Sequence, residues 1–278
     1  MQIVSSSTTL WDNTGPFPPF SENIPIPLFP QEITEIIVGH MTTEQVRLMA
    51  AVSKIWHQFA MRAFLFDVAF GKAKWNTHFG DIGEEPPLPL DIYQILSSPC
   101  PFWPGKKVAE THMLVLIPKT VNGQILTLKN LSELIKQPKQ GNSTQFSPWN
   151  PGGNENLTVA SSYWLLMTRD VLEGTRKKPY AEQTKIITAF CQKVNLNYQP
   201  PKLLEAAVCI LMEYVSHGTR LYSDSPATYT RCEEKYEETD YPMVIGGFAS
   251  GGLVVVYSCS SFFDVDSYGL ACVRKLGT

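Results

Sequence analysis

The chain has 278 residues, 44% hydrophobic and 18% charged, with a formal net charge of −3. That much apolar material builds a packed core, and the length suits about two domains. A mildly acidic chain offers no basic face, which argues against nucleic acid as a partner.

Residues 1–23 carry Ser/Thr runs and the stretch Gly15-Pro-Phe-Pro-Pro19. Such a segment makes neither helix nor sheet ladder, so a tail without regular structure is expected. The first residues lack a cationic start and an apolar h-region, which predicts no secretory signal. No apolar run is long enough to span a bilayer, so no membrane partner is expected and a cytoplasmic location is.

Residues 24–75 read as three short helices. Pro30 pre-sets a helix start, and Ile33, Ile36 and Ile37 give that helix one apolar face. Thr42 and Gln45 have capping-box spacing, which starts a second helix with Val46 and Met49 facing inward. Ser53 can cap a third helix carrying Ile55, Trp56, Phe59 and Ala60. Three helices this short bury little by themselves, and the apolar residues left at their surface mark a partner site. Residues 76–89 contain Gly80-Asp-Ile-Gly-Glu-Glu-Pro-Pro-Leu-Pro89, whose breakers predict a linker.

From residue 90 to 278 the pattern becomes α+β. His112-Met-Leu-Val-Leu-Ile-Pro118 predicts a strand stopped by proline. Leu126–Ile135 predicts a short helix and Ser162–Thr168 a buried strand. Tyr180–Val194 has Ile186, Ile187, Phe190 and Val194 at helical spacing. Pro201–His217 predicts the strongest helix, with Leu204, Val208, Leu211 and Val215 on one face and Gly218 just past its end. Met243–Phe248 and Leu253–Tyr257 flank a Ser-Gly-Gly turn, a hairpin signal. Tyr268–Arg274 predicts one closing strand.

Chemistry-bearing motifs are sparse. The six cysteines form no CxxC pair and are expected to be reduced. The five histidines have no metal-binding spacing, so no zinc site is expected. Gly246-Gly-Phe-Ala-Ser-Gly-Gly252 lacks the Lys-Ser/Thr ending of a phosphate loop, and a hairpin turn accounts for it. Asp264-Val-Asp266 is a thin calcium candidate, and no cofactor is expected. Arg176-Lys-Lys178 reads as a solvated loop. Trp103, Trp149, Trp164, Tyr222, Tyr229 and Phe262 lie in or beside predicted loops, either as recognition aromatics or as core.

Two stretches carry a resemblance. Phe29-Pro-Gln-Glu-Ile33, the Met41-Thr42 break and Val52-Ser-Lys-Ile-Trp56-His57 together resemble an F-box, with Phe29 where leucine is commoner and Gly39 inside the first helix. The resemblance implies docking on a Skp-family adaptor of a cullin-RING ubiquitin ligase. By motif position it implies contact through Phe29, Pro30, Ile33, Val52 and Trp56. In the second half, Pro200-Pro-Lys-Leu-Leu-Glu-Ala-Ala, the Gly-Gly-Phe hairpin and Tyr268-Gly-Leu-Ala-Cys-Val-Arg-Lys275 resemble the end of a C-type-lectin-like domain. That variety is shared with formylglycine-generating enzymes, although Gln-Pro-Pro stands here for their Leu-Pro-Thr. Pro101–Lys106, Glu110–Pro118, Tyr163–Asp170 and Arg220–Pro226 are similar to proteins of chlamydia-related intracellular bacteria, which would place the F-box in a host cytoplasm. The expected architecture is thus a small three-helix F-box-like module followed by a mixed α+β, lectin-like domain. The expected role is a non-catalytic adaptor presenting a target for ubiquitination. The alternatives are a ligand-binding lectin-like module and an oxidative domain using a cysteine such as Cys272, which lies near Cys259 in sequence.

Overall fold

The computed structural model describes residues 40–42, 45, 64–258 and 266–277. Two compact units divide the chain, residues 1–67 and 68–278. In the first, the expected capping box is formed. The Thr42 amide donates to Gln45 Oε1 at 2.9 Å, and the Gln45 amide donates to Thr42 Oγ1 at 3.3 Å. Two of the amides left over at a helix start are satisfied in this way. The residues expected to contact an adaptor, Phe29, Pro30, Ile33, Val52 and Trp56, lie outside the described residues, as do the tail 1–23, Cys259, Phe262 and Asp264.

The second unit is α+β, as its sequence pattern predicts. In chain order its elements are β1 (Ala69–Phe70), α1 (Lys72–His78), α2 (Ile92–Ser97), α3 (Val108–Thr111), β2 (His112–Ile117), β3 (Thr120–Val121), β4 (Gln124–Ile125) and α4 (Leu128–Leu134). They continue with β5 (Phe146–Trp149), β6 (Tyr163–Thr168), α5 (Tyr180–Val194), α6 (Leu203–His217), β7 (Tyr229–Lys235), β8 (Pro242–Ala249), β9 (Gly252–Tyr257), β10 (Tyr268–Gly269) and β11 (Val273–Leu276). One sheet has the order β1-β2-β6-β11 and a second the order β10-β7-β8-β9-β5. The β1–β2, β10–β7 and β5–β9 pairs are parallel; the other pairs in these two sheets are antiparallel.

Helix α6 touches β2 of the first sheet and β7 and β8 of the second. Its sequence suggests one apolar face, but Leu203 through Met212 are buried without interruption, and so is Val215. A helix covered on opposite sides must be apolar nearly all round. Gly218 ends it at φ 72°, the left-handed cap that its position predicts.

The charged residue inside this helix, Glu205, is fully buried. Its Oε2 accepts from the Lys202 amide at 2.9 Å, and its Oε1 accepts from the Tyr163 hydroxyl and lies 3.2 Å from Lys275 Nζ. The neighbouring Leu203 amide donates to Glu234 Oε2 of β7 at 2.7 Å. One carboxylate from the helix and one from the second sheet therefore cap the same helix start, and the first also ties it to β6 and β11.

The segment 76–89 is not a free linker. Its glycines and prolines do interrupt the helix, yet the stretch belongs to the second unit and packs within it. Trp75 and Ile82 are buried, and Trp75 Nε1 donates to the Leu116 carbonyl at 2.9 Å. Trp164 Nε1 donates to the Pro86 carbonyl at 2.8 Å, and Glu85 Oε1 accepts from the Lys72 amide at 2.8 Å. Helix breakers report local backbone shape; they do not report exposure.

The closing segment is two strands where the sequence suggests one. β10 belongs to the second sheet and β11 to the first, and Leu270–Cys272 cross between them. The crossing amides are buried and lack sheet partners, so threonine hydroxyls supply them. Leu270 donates to Thr175 Oγ1 (3.1 Å), Ala271 to Thr230 Oγ1 (2.9 Å) and Cys272 to Thr168 Oγ1 (3.2 Å). All three threonines are fully buried. Thr230→Val is isosteric and leaves the Ala271 amide without its acceptor. It is expected to cost about 1–3 kcal/mol, measured by urea denaturation; a change indistinguishable from zero would show that the amide has another acceptor.

Candidate functional site

The site with the most distinctive chemistry lies where β2 begins. The loop before it closes through the Cys100 amide on the Lys106 carbonyl (2.7 Å) and the Lys106 amide on the Trp103 carbonyl (3.2 Å). This holds Phe102 and Trp103 at a half-buried tip. Helix α5 contributes Phe190, and the turn after it, made by left-handed Asn195 (φ 52°), brings in Tyr198. The rings meet around His112. Phe102 lies 4.7 Å from Phe190 and edge-on to Tyr198 at 4.9 Å; His112 lies 5.6 Å from Tyr198, 6.1 Å from Phe102 and 6.5 Å from Trp103, between ring centroids. Beneath them sits an apolar floor that includes Leu172, Ile187, Leu270 and Cys272.

His112 is 3% exposed. Its Nδ1 lies 2.9 Å from Thr111 Oγ1, while Nε2 is buried without a hydrogen-bond partner. Burial, reinforced by the positive charge of Arg274, lowers its pKa from 6.5 to about 4, against an opposing bond with the Val108 backbone. The imidazole is therefore neutral near pH 7 and is no general acid there. Folding then binds fewer protons than the unfolded chain between about pH 4 and 6.5. The stability held by the neutral ring is present above pH 6.5 and is lost as pH falls toward 4. Lowering the pH from 7.5 to 4.5 is expected to cost about 2–3 kcal/mol through this residue alone. Denaturant titrations of wild type and His112→Gln at both pH values check this: equal losses in the two proteins would refute it.

The arrangement suits recognition better than bond-making. Phe102, Trp103, Phe190 and Leu196 offer a half-exposed apolar face over a rigid floor, the composition of an interaction surface. The cysteine chemistry is weak. Cys272 is fully buried and burial pushes its thiol well up, as it does for Cys209 and Cys232, so the thiolate that reactivity requires is suppressed. Among the described residues no group of three or more His, Cys, Asp or Glu is placed to hold a metal ion. Asp266, half of the calcium candidate, has its carboxylate 3.3 Å from Lys177 Nζ.

The aromatics singled out in the sequence divide. Trp164 and Tyr222 are core, each with its polar tip satisfied; the Tyr222 hydroxyl donates to the Thr168 carbonyl at 2.6 Å. Trp149 is 37% exposed and lies 4.7 Å from Phe146. Tyr229 packs edge-on against Tyr268 at 5.4 Å. Of those among the described residues, only Trp103 joins the histidine cluster. Phe102, His112, Phe190 and Tyr198 have no shared spacing that could point to one another. No family model, curated protein or solved structure matches this chain.

Proposed function

We propose that the chain is a substrate-recognition adaptor. Its F-box-like run docks on a Skp-family adaptor of a cullin-RING ubiquitin ligase, and its C-terminal unit presents a target, in a host cytoplasm if the chain is a bacterial effector. The observation that carries this reading is the string Phe29-Pro30, Ile33, Val52-Ser53-Lys54 and Trp56. The reciprocal Thr42–Gln45 bonds support it, since they start a helix between the two halves of the motif. The half-exposed face of Phe102, Trp103 and Phe190 supports a recognition role for the second unit, and the suppressed Cys272 thiol weighs against oxidative catalysis. A C-type-lectin-like reading of that unit rests on its order of helix, Gly-Gly-Phe hairpin and final strand, here α6, β8–β9 and β11.

Wild-type protein is expected to capture a purified Skp-family adaptor at micromolar concentration. Pro30→Ala combined with Ile33→Ala removes two motif contacts and is expected to weaken capture by about tenfold or more, a loss of roughly 1.4 kcal/mol or more. Absence of wild-type binding at that concentration would end the adaptor reading.

A further inference from the structure

Arg231 of β7 is fully buried. One of its nitrogens, Nη1, donates to the Lys178 carbonyl at 2.8 Å, just before α5. Its other two nitrogens, Nε and Nη2, are buried and have no hydrogen-bond partner. Those two share one edge of the guanidinium, the side-on fork that clasps a carboxylate with two parallel bonds. The ring of Tyr268 lies 5.5 Å from the guanidinium carbon, which adds a cation–π contact but no negative charge.

Among the described residues nothing neutralises this cation. The Arg231 guanidinium is in no ion pair among the described residues. Burial lowers its pKa, and the groups that oppose the shift are the phenols of Tyr268 and Tyr180. The adjacent basic residues are already engaged. Lys177 pairs with Asp266, Lys178 with Glu182, and Arg176 donates to the Asp266 carbonyl and to Thr228 Oγ1. One uncompensated charge is therefore held in a place where an unpaired ion is costly.

We propose that Arg231 anchors a carboxylate ligand through its Nε–Nη2 edge. A single buried charge calls for a monoanion, and the planar fork matches the planar carboxylate. A phosphate would bring nearly twice the charge. Tyr180, whose phenol is within electrostatic reach of Arg231, also lines an open groove of about 580 Å³ along α5 with Ala181, Thr184 and Thr188, a groove whose lining does not include Arg231 itself. This site is independent of the adaptor reading, because nothing in it uses the F-box-like run.

The test is a titration of the full chain, followed by the arginine Nε–H resonances in ¹⁵N-labelled protein at constant ionic strength. The probes are sodium acetate, inorganic phosphate, sodium chloride, and N-acetyl-glycylglycine beside its amide. Acetate is expected to move one slowly exchanging Nε–H signal saturably, and that signal is absent in Arg231→Lys. Arg231→Lys keeps the charge, loses the fork and is expected to weaken acetate binding about tenfold. Should the lysine variant not fold, the wild-type signal alone decides. A dipeptide acting at far lower concentration than acetate, with its amide silent, assigns a chain terminus as the source; equal potency assigns a small acid. A signal moved only by phosphate, moved equally by chloride, or not moved at all overturns the proposal.

Discussion

Replacement of Glu205 by alanine is expected to destabilise the C-terminal unit by about 3–5 kcal/mol, the range for breaking a buried ion pair from one side. The carboxylate is fully buried and serves three elements at once. It accepts from the Lys202 amide at the start of α6, from the Tyr163 hydroxyl of β6, and it neutralises Lys275 of β11. Alanine strands all three. The Tyr163 phenol shows how enclosed the cluster is: burial first, and the Glu205 charge second, push its pKa far above the ordinary value. A unit of this size shifts in Tm by roughly 2–4 °C per kcal/mol, so a loss on the order of 10 °C is expected. Glu205→Gln retains the shape and one acceptor, and should lose less. The control is Glu205→Leu with Lys275→Met, which removes both charges and is expected to recover the part of the loss due to the unpaired lysine, while the Lys202 amide and the Tyr163 hydroxyl stay without their acceptor. If alanine costs less than about 1 kcal/mol, the cluster does not tie helix to sheet.

Trp75→Ala is the second large effect, at about 3–5 kcal/mol. The indole is 0% exposed, edge-on to Phe70 at 5.5 Å and 5.3 Å from Phe79. Its removal also orphans the Leu116 carbonyl that accepts from Nε1. The change should free residues 72–89 as well as lower the midpoint, so limited proteolysis should cut within that stretch in the variant and not in wild type. The same packing makes a prediction about boundaries. A chain starting at Val68 is expected to fold by itself. One starting at Leu90 lacks β1 and Trp75 and is expected to be less stable by at least as much as the point variant. Equal stability of the two would put the boundary back at residue 90.

Much of the second unit is legible in its sequence wherever one local rule decides the outcome. The α5 limits, Tyr180–Val194, match the periodic reading, because an exposed helix must separate its faces; only Gln183 and Ile187 are fully buried in it. β2 stops before Pro118 because proline cannot donate to the ladder. The β8–β9 hairpin turns where glycines permit it. At Gly252 (φ 134°), which opens β9 just past the turn, a Cβ would come within 2.4 Å of the Gln145 carbonyl oxygen, so no larger residue fits that approach. The Thr42–Gln45 box is equally local, since both partners lie within one helical turn.

What escapes the sequence is set by partners far apart in the chain. The continuous apolar pattern of α6 is ambiguous until sheets occupy both of its sides. The strand expected at Tyr268–Arg274 divides because Thr168, Thr175 and Thr230 stand ready to take its amides between the sheets. Prolines and glycines at 80–89 end a helix but leave open whether the stretch lies on a surface or against Trp164. His112 becomes a buried neutral imidazole only when Phe102 and Trp103 from one loop and Tyr198 from the turn after α5 converge on it. The same holds for Arg231, whose charged sequence neighbours Glu233, Glu234 and Lys235 give no sign of its burial. By itself, then, the sequence determined the helices, strands and turns whose cause lies within a few residues, and it carries the run from Phe29 to Trp56 on which the adaptor proposal rests. Tertiary structure alone decided which groups lose water and which partners they meet, because burial depends on contacts that no local period encodes.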